Sequence, residues 1–158
     1  MRAIAALQRI VPAVLVALAA SSLATEAKAA NVALAAILVE PASPGPGALC
    51  RLKVRLKNGG TQTASLFAFS VTINGEEVST YKAHTFANSI GADATGEIDL
   101  HNFWTPSAPK AFDVRITLTE AQWVQVKKEG TTTTTAPAGP VPGLPTSATL
   151  TVKMSPGK

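Results

Sequence analysis

Residues 48–60 read ALCRLKVRLKNGG, and their pattern sets the expectation for the rest of the chain. Ala48, Cys50, Leu52, Val54 and Leu56 alternate with Leu49, Arg51, Lys53, Arg55 and Lys57. Successive side chains of a strand point to opposite faces, so this period of two predicts an apolar row facing a core and a basic row facing solvent. Asn58, Gly59 and Gly60 tolerate positive φ and are expected to end the strand in a turn.

The flanking segments offer partners for that apolar row. Residues 31–40 (NVALAAILVE) are apolar on both faces, and so short a run fits helix or strand. Pro41, Pro44 and Pro46 with Gly45 and Gly47 end it in a loop, which suits a strand. Residues 66–74 alternate again, with Phe67, Phe69, Val71 and Ile73 on one face. Asn74-Gly75 then predicts a two-residue hairpin into residues 76–81, with Val71 opposite Val78 on the buried side. Residues 82–95 are polar and weakly patterned and read as loop, with room for a short edge strand. Ile98 and Leu100 point inward from the next strand, with Glu97, Asp99 and His101 outward. Residues 112–119 (FDVRITLT) form another clean alternation, which residues 120–126, with Trp123, extend as strand or close in a turn. Five threonines from Thr131 and four prolines fill residues 129–146, a composition expected to make a loop that packs no core. Residues 147–154 recover a period of two through Ala148, Leu150, Val152 and Met154. About seven short strands without a convincing helix predict an all-β, immunoglobulin-like antiparallel β-sandwich.

The chain starts with a targeting pattern. Arg2 and Arg9 precede an apolar run over residues 11–23, too short to span a bilayer comfortably, and Ala27-Lys28-Ala29 offers the small residues of a cleavage site. The expectation is a signal peptide at residues 1–29 and one sandwich domain at residues 30–158, periplasmic or secreted, with no stable membrane insertion after cleavage. Of 14 basic and 10 acidic residues, Arg2, Arg9, Lys28 and Glu26 leave with the leader, so 11 and 9 remain and the net charge falls from +4 to +2. That small excess, with few aromatics interleaved, argues against a nucleic-acid partner. One cysteine, Cys50, cannot close an internal disulfide.

A resemblance adds to this reading. A strand, then PASPGPG, then an alternating strand ending in KNGGTQTA and a strand closing at ING resembles the CARDB-type bacterial adhesion-related domains over residues 32–78. The resemblance implies a non-catalytic surface or periplasmic module and carries no catalytic residues. The Thr/Pro-rich stretch departs from such domains, which usually close on an acidic, Asn-rich segment.

Three constellations invite a chemical reading. Cys50, His84, His101 and Met154 are the ligand types of a blue-copper site, but Cys50 stands in an early strand without a nearby histidine, and a buried thiol is the simpler role. Glu97, Asp99 and His101 share one strand face, and a solvated face with Arg115 pairing across the sheet is the expected arrangement. No Ser/His/Asp spacing, phosphate loop or zinc pair is present, so neither an enzyme, a cofactor nor a metal is expected. The basic row of Arg51, Lys53 and Arg55 could meet an anionic surface, but reads better as a solvated face balanced by acids. Tyr81, Trp104 and Trp123 are aromatic candidates for stacking on sugars or anchoring an interface, with Trp104 the exposed one and Trp123 a cap on the core. The sequence therefore points to a binding module of the cell envelope whose partner is an envelope protein or, as the alternative, a surface glycan held by the aromatics. A metal-carrying periplasmic protein is a third class, resting on the two histidines and the acids near His101.

Overall fold

The computed structural model describes residues 32–107 and 110–156; the leader and the cleavage point before Ala30 lie outside the described residues. Nine strands are described: β1 (Val32–Glu40), β2 (Leu49–Asn58), β3 (Thr63–Ile73), β4 (Glu76–Lys82), β5 (Thr95–Asp99), β6 (Phe103–Trp104), β7 (Ala111–Glu129), β8 (Thr132–Pro140) and β9 (Thr146–Lys153). The only helical segment among the described residues is one 3-10 turn at Phe86–Asn88. One sheet runs β1-β2-β5 with β6 also on β2; the other runs β4-β3-β7-β8 with β9 also on β7. All pairings are antiparallel. The fold is thus the β-sandwich expected from the alternation.

The apolar row of β2 lies in the core as its period requires. Cys50, Leu52, Val54 and Leu56 are buried, and across the sandwich they meet Phe67, Phe69, Val71, Phe112, Val114, Ile116 and Leu118 in one cluster. Each such side chain contributes roughly 1.5–3 kcal/mol when fully buried, so this cluster is the main source of stability. β1 was ambiguous in sequence because it carries a bulge at Ala35, where the register shifts between Leu34 and Ala36. Val32 and Leu34 face the core before the bulge, and Ile37 and Val39 after it. The extra residue changes the phase, and apolar residues therefore stand at both odd and even positions.

Two expectations need correction. First, the Thr/Pro-rich stretch is not a loop throughout: residues 132–140 form β8, paired with β7 from Gln122 to Glu129. Backbone hydrogen bonds to β7 hold it, which composition cannot reveal. Second, Val78 is not opposite Val71. The Asn74-Gly75 turn forms as expected, with φ of 50° and 87°, but a bulge after Thr72↔Glu77 places Ser79 against Val71 and leaves Val78 exposed. β2 ends at Asn58 as expected, and a Cβ at Gly60 would sit 2.6 Å from Cη2 of Trp123, so that glycine makes room for the ring.

β7 is the longest element and is shared along its length. Residues 111–118 pair with β9 and residues 122–129 with β8, while β3 covers the other flank. The segment after β9 is tied to the β1–β2 loop: Ser155 donates its N–H to the Pro44 carbonyl (2.9 Å) and its Oγ to the Ser43 carbonyl (2.6 Å). Thr105 holds the Pro/Gly loop, its Oγ1 accepting from Ala48 N–H (2.8 Å) and donating to the Gly45 carbonyl (2.7 Å).

Candidate binding surface

The basic row occupies the outer face of β2, and every member has an acidic partner. Arg51 pairs with Asp99 (2.9 Å), Lys53 with Glu40 (3.0 Å), Arg55 with Glu97 (2.5 Å) and Lys57 with Asp93 (2.7 Å). The cross-strand register sets these pairs, since Glu97 lies opposite Arg55 and Glu40 opposite Arg51, one diagonal from Lys53. The Lys57 hydrogen bond and charge hold the Asp93 carboxyl below its ordinary pKa. Acids on both neighbouring strands therefore neutralise the row, which leaves little field to draw an anionic surface. Arg115 was expected to pair with Glu97 or Asp99. It stands on β7, in the opposite sheet, and the β2 arginines take those acids instead.

The three aromatics do not converge. Tyr81 stands opposite Phe69 on β3, packs against that ring at 6.0 Å and meets His101 edge-on at 5.9 Å. It is half-buried and closes one margin of the sandwich. Trp123 is also half-buried, lying over Gly60 and against the core. Trp104 alone is open, with 68% of its surface exposed. It pairs with Leu49, itself 49% exposed, at the start of β2. Gly60 follows the other end of β2, so Trp104 and Trp123 are separated by the length of that strand, about 30 Å.

The local sequence explains why Trp104 is turned out. Phe103 and Trp104 form β6, and alternation sends one ring inward and the other outward. Phe103 packs edge-on against Phe112 (5.8 Å), which fixes the phase and leaves Trp104 on the same outer face as Leu49 and Arg51. Just beyond it, the Thr105 hydrogen bonds to Ala48 and Gly45 anchor this segment to the Pro/Gly loop.

Cys50 is buried beside Phe103, and burial pushes its thiol pKa up. Among the described residues no three His, Cys, Asp or Glu side chains gather as metal ligands. A shallow cleft of about 320 Å³ lies where β3 bulges, lined by Leu66, Lys82, Ala83, Glu120, Gln122 and Pro137. Leu66 adopts φ of 53°, and Lys82 pairs with Glu120 at 3.0 Å on the cleft wall. No sequence signal marks this cleft, because a leucine in the left-handed region leaves no trace in composition.

No family model matches the chain, and no curated protein matches it. The chain is similar to the crystal structure of the CARDB domain of a Pyrococcus furiosus protein in complex with di-metal ions: 19% identity, 81% of this chain and 90% of that one covered, TM-score 0.49. It is also similar to the solution structure of a domain from a Methanosarcina acetivorans protein, provisionally described as a cell surface protein, at 17% identity, with 67% and 89% covered and a TM-score of 0.42. A human PapD-like domain is similar at 13% identity, with 82% and 89% covered and a TM-score of 0.36. The first of these is of the class that PASPGPG and KNGGTQTA resemble in sequence. Among the described residues no helix is long and apolar enough to cross a membrane.

Proposed function

We propose that this protein is an exported, non-catalytic binding module of the cell envelope that holds a protein partner through the outer face of its first sheet. The observation that carries the reading is the adjacent pair Trp104 and Leu49, both exposed on a rigid strand end. A large ring beside an aliphatic side chain, with the Arg51–Asp99 ion pair at its margin, has the make-up of a small interface hot spot with a polar rim. The apolar leader and its A-x-A site support export to the periplasm or beyond.

The glycan reading relied on several rings acting together, and it is left with Trp104 alone. A titration with envelope sugars, followed by tryptophan emission, is expected to leave the spectrum unchanged. Capture from envelope extract by the immobilised protein should yield a specific partner that Trp104→Ala and Leu49→Ser no longer retain. Both variants should melt like the parent, because exposed substitutions usually stay within about 0.5 kcal/mol. Equal retention of the partner by parent and variants would overturn the proposed surface.

A further inference from the structure

β8 has a neighbour on one side only among the described residues, namely β7. Together they form a ribbon that outruns the core: residues 125–134 are exposed whichever face they occupy. Sheet edges usually guard themselves with charge, proline, a bulge or shortness. Residues 132–136 (TTTTA) have none of these, and the chain carries no charge from residue 131 to residue 145. Pro137 is the first guard, and the bulge opposite Trp123 and Val124 follows it.

The turn decides which main-chain groups of β8 are unused. Glu129 and Thr132 close the two-residue loop at Gly130-Thr131, with Gly130 at φ of 63°. The pair flanking such a loop is hydrogen-bonded, so Thr132, Thr134 and Ala136 bond to β7. Thr133 and Thr135 then aim their N–H and C=O groups away from it.

We propose that this edge pairs with the same edge of a second copy of the chain, antiparallel about a two-fold axis at Thr134. Thr133 would face Thr135 of the partner subunit and exchange two N–H···O=C bonds with it, and the symmetric pair would give two more. Thr134 would meet Thr134 of the partner subunit at the closer, non-hydrogen-bonded position. The uncharged run is self-complementary, since each threonine meets a threonine or Ala136 and no charge is opposed. Pro137 limits sliding, because it lacks the N–H that a longer register would use. The nearest charges, Lys127, Lys128 and Glu129, lie one strand back on β7. Across the joined ribbons those of the two copies are three strand spacings apart, about 14 Å, beyond the screening length at physiological salt.

So small an interface should be weak, with Kd on the order of 0.1–1 mM. Sedimentation equilibrium of the purified protein over rising concentration is expected to show a monomer–dimer equilibrium. Thr135→Pro removes an outward N–H while sparing the ladder to β7, and should give a monomer with unchanged circular dichroism. Thr134→Lys sets like charges face to face and should also be monomeric, whereas an equimolar mixture of Thr134→Lys and Thr134→Glu should restore the dimer. A parent protein that stays monomeric throughout, or variants that associate as tightly as the parent, would overturn the proposal.

Discussion

A primary amide offers two donors and an acceptor, and once buried each must find a partner. Asn58, fully buried at the end of β2, meets that demand with four bonds. Its Nδ2 lies 2.8–3.0 Å from the carbonyls of Gln62, Ile90 and Gly91, and its Oδ1 accepts from the Gly60 N–H at 2.9 Å. One side chain thus fastens the β2–β3 turn to the loop before β5. Asn58→Ala should cost about 2–4 kcal/mol in urea denaturation, because buried carbonyls lose their donor. Asn58→Asp should be no milder, since a carboxylate cannot donate to them. Arg55→Ala, by contrast, should stay within about 0.5 kcal/mol, since both it and Glu97 are about half exposed. Cys50 gives a pH-dependent test. Its folded pKa is raised, so the folded state keeps its proton while the unfolded state begins to lose it. Stability from this group is full below the unfolded thiol pKa and is lost as pH rises through the folded value. The parent should therefore lose more stability between neutral and alkaline pH than Cys50→Ala does. A thiol reagent should label Cys50 slowly in buffer and fully in denaturant; rapid native labelling would contradict its burial.

At the scale of elements, the two strands sharing one flank of β7 carry unequal weight. β9 buries Ala148 and Val152 and pairs with Ala111–Leu118, the part of β7 that contributes Phe112, Val114, Ile116 and Leu118 to the core. Ending the chain at Thr146 should expose that edge and the core beneath it, and give aggregation or unfolding. β8 touches the core only near its end, where Val141, just beyond it, is buried and donates its N–H to the Ala121 carbonyl at 2.9 Å. Replacing residues 128–133 with an Asn-Gly turn between the hydrogen-bonded pair Lys127 and Thr134 should therefore change stability by no more than about 0.5 kcal/mol. Carrying the deletion through Val141 should cost considerably more. Matching melting curves for the two deletions would show that the base of the ribbon contributes nothing to the fold.

For the whole molecule, the two sheets share one buried cluster running from Val32 to Val152, so neither can unfold while the other keeps its packing. Far-ultraviolet circular dichroism and emission from Trp123, which lies over Gly60, should report the same single transition. Val54→Asp places a charge in the middle of that cluster, losing roughly 1.5–3 kcal/mol of burial and adding the cost of desolvation. It should leave little folded protein, unlike its exposed neighbour Arg55→Ala. Separate transitions for the two probes would mean that the sheets are less coupled than their shared core implies.

The sequence by itself determined the sandwich and the inner row of each regular strand, because alternation is a local property that a single strand carries in its residues. It also marked the Asn74-Gly75 turn, whose backbone geometry only a few residue types adopt, and the exposure of Trp104 beside its proline turn. Tertiary structure alone decided what depends on a partner strand. The bulges at Ala35 and after Val71 shift phase without any distinctive residue, which blurred β1 and misplaced Val78. β8 forms through main-chain bonds to β7, invisible in a run of threonines. Asn58 resembles any turn asparagine until the distant carbonyls of Ile90 and Gly91 join that of nearby Gln62 around it, and only cross-strand register says which acids balance the basic row. Trp123 caps the core as expected, but Tyr81 became a core-packed ring for the same reason: whether an aromatic is free to bind is set by what the fold lays over it, not by its neighbours in the chain.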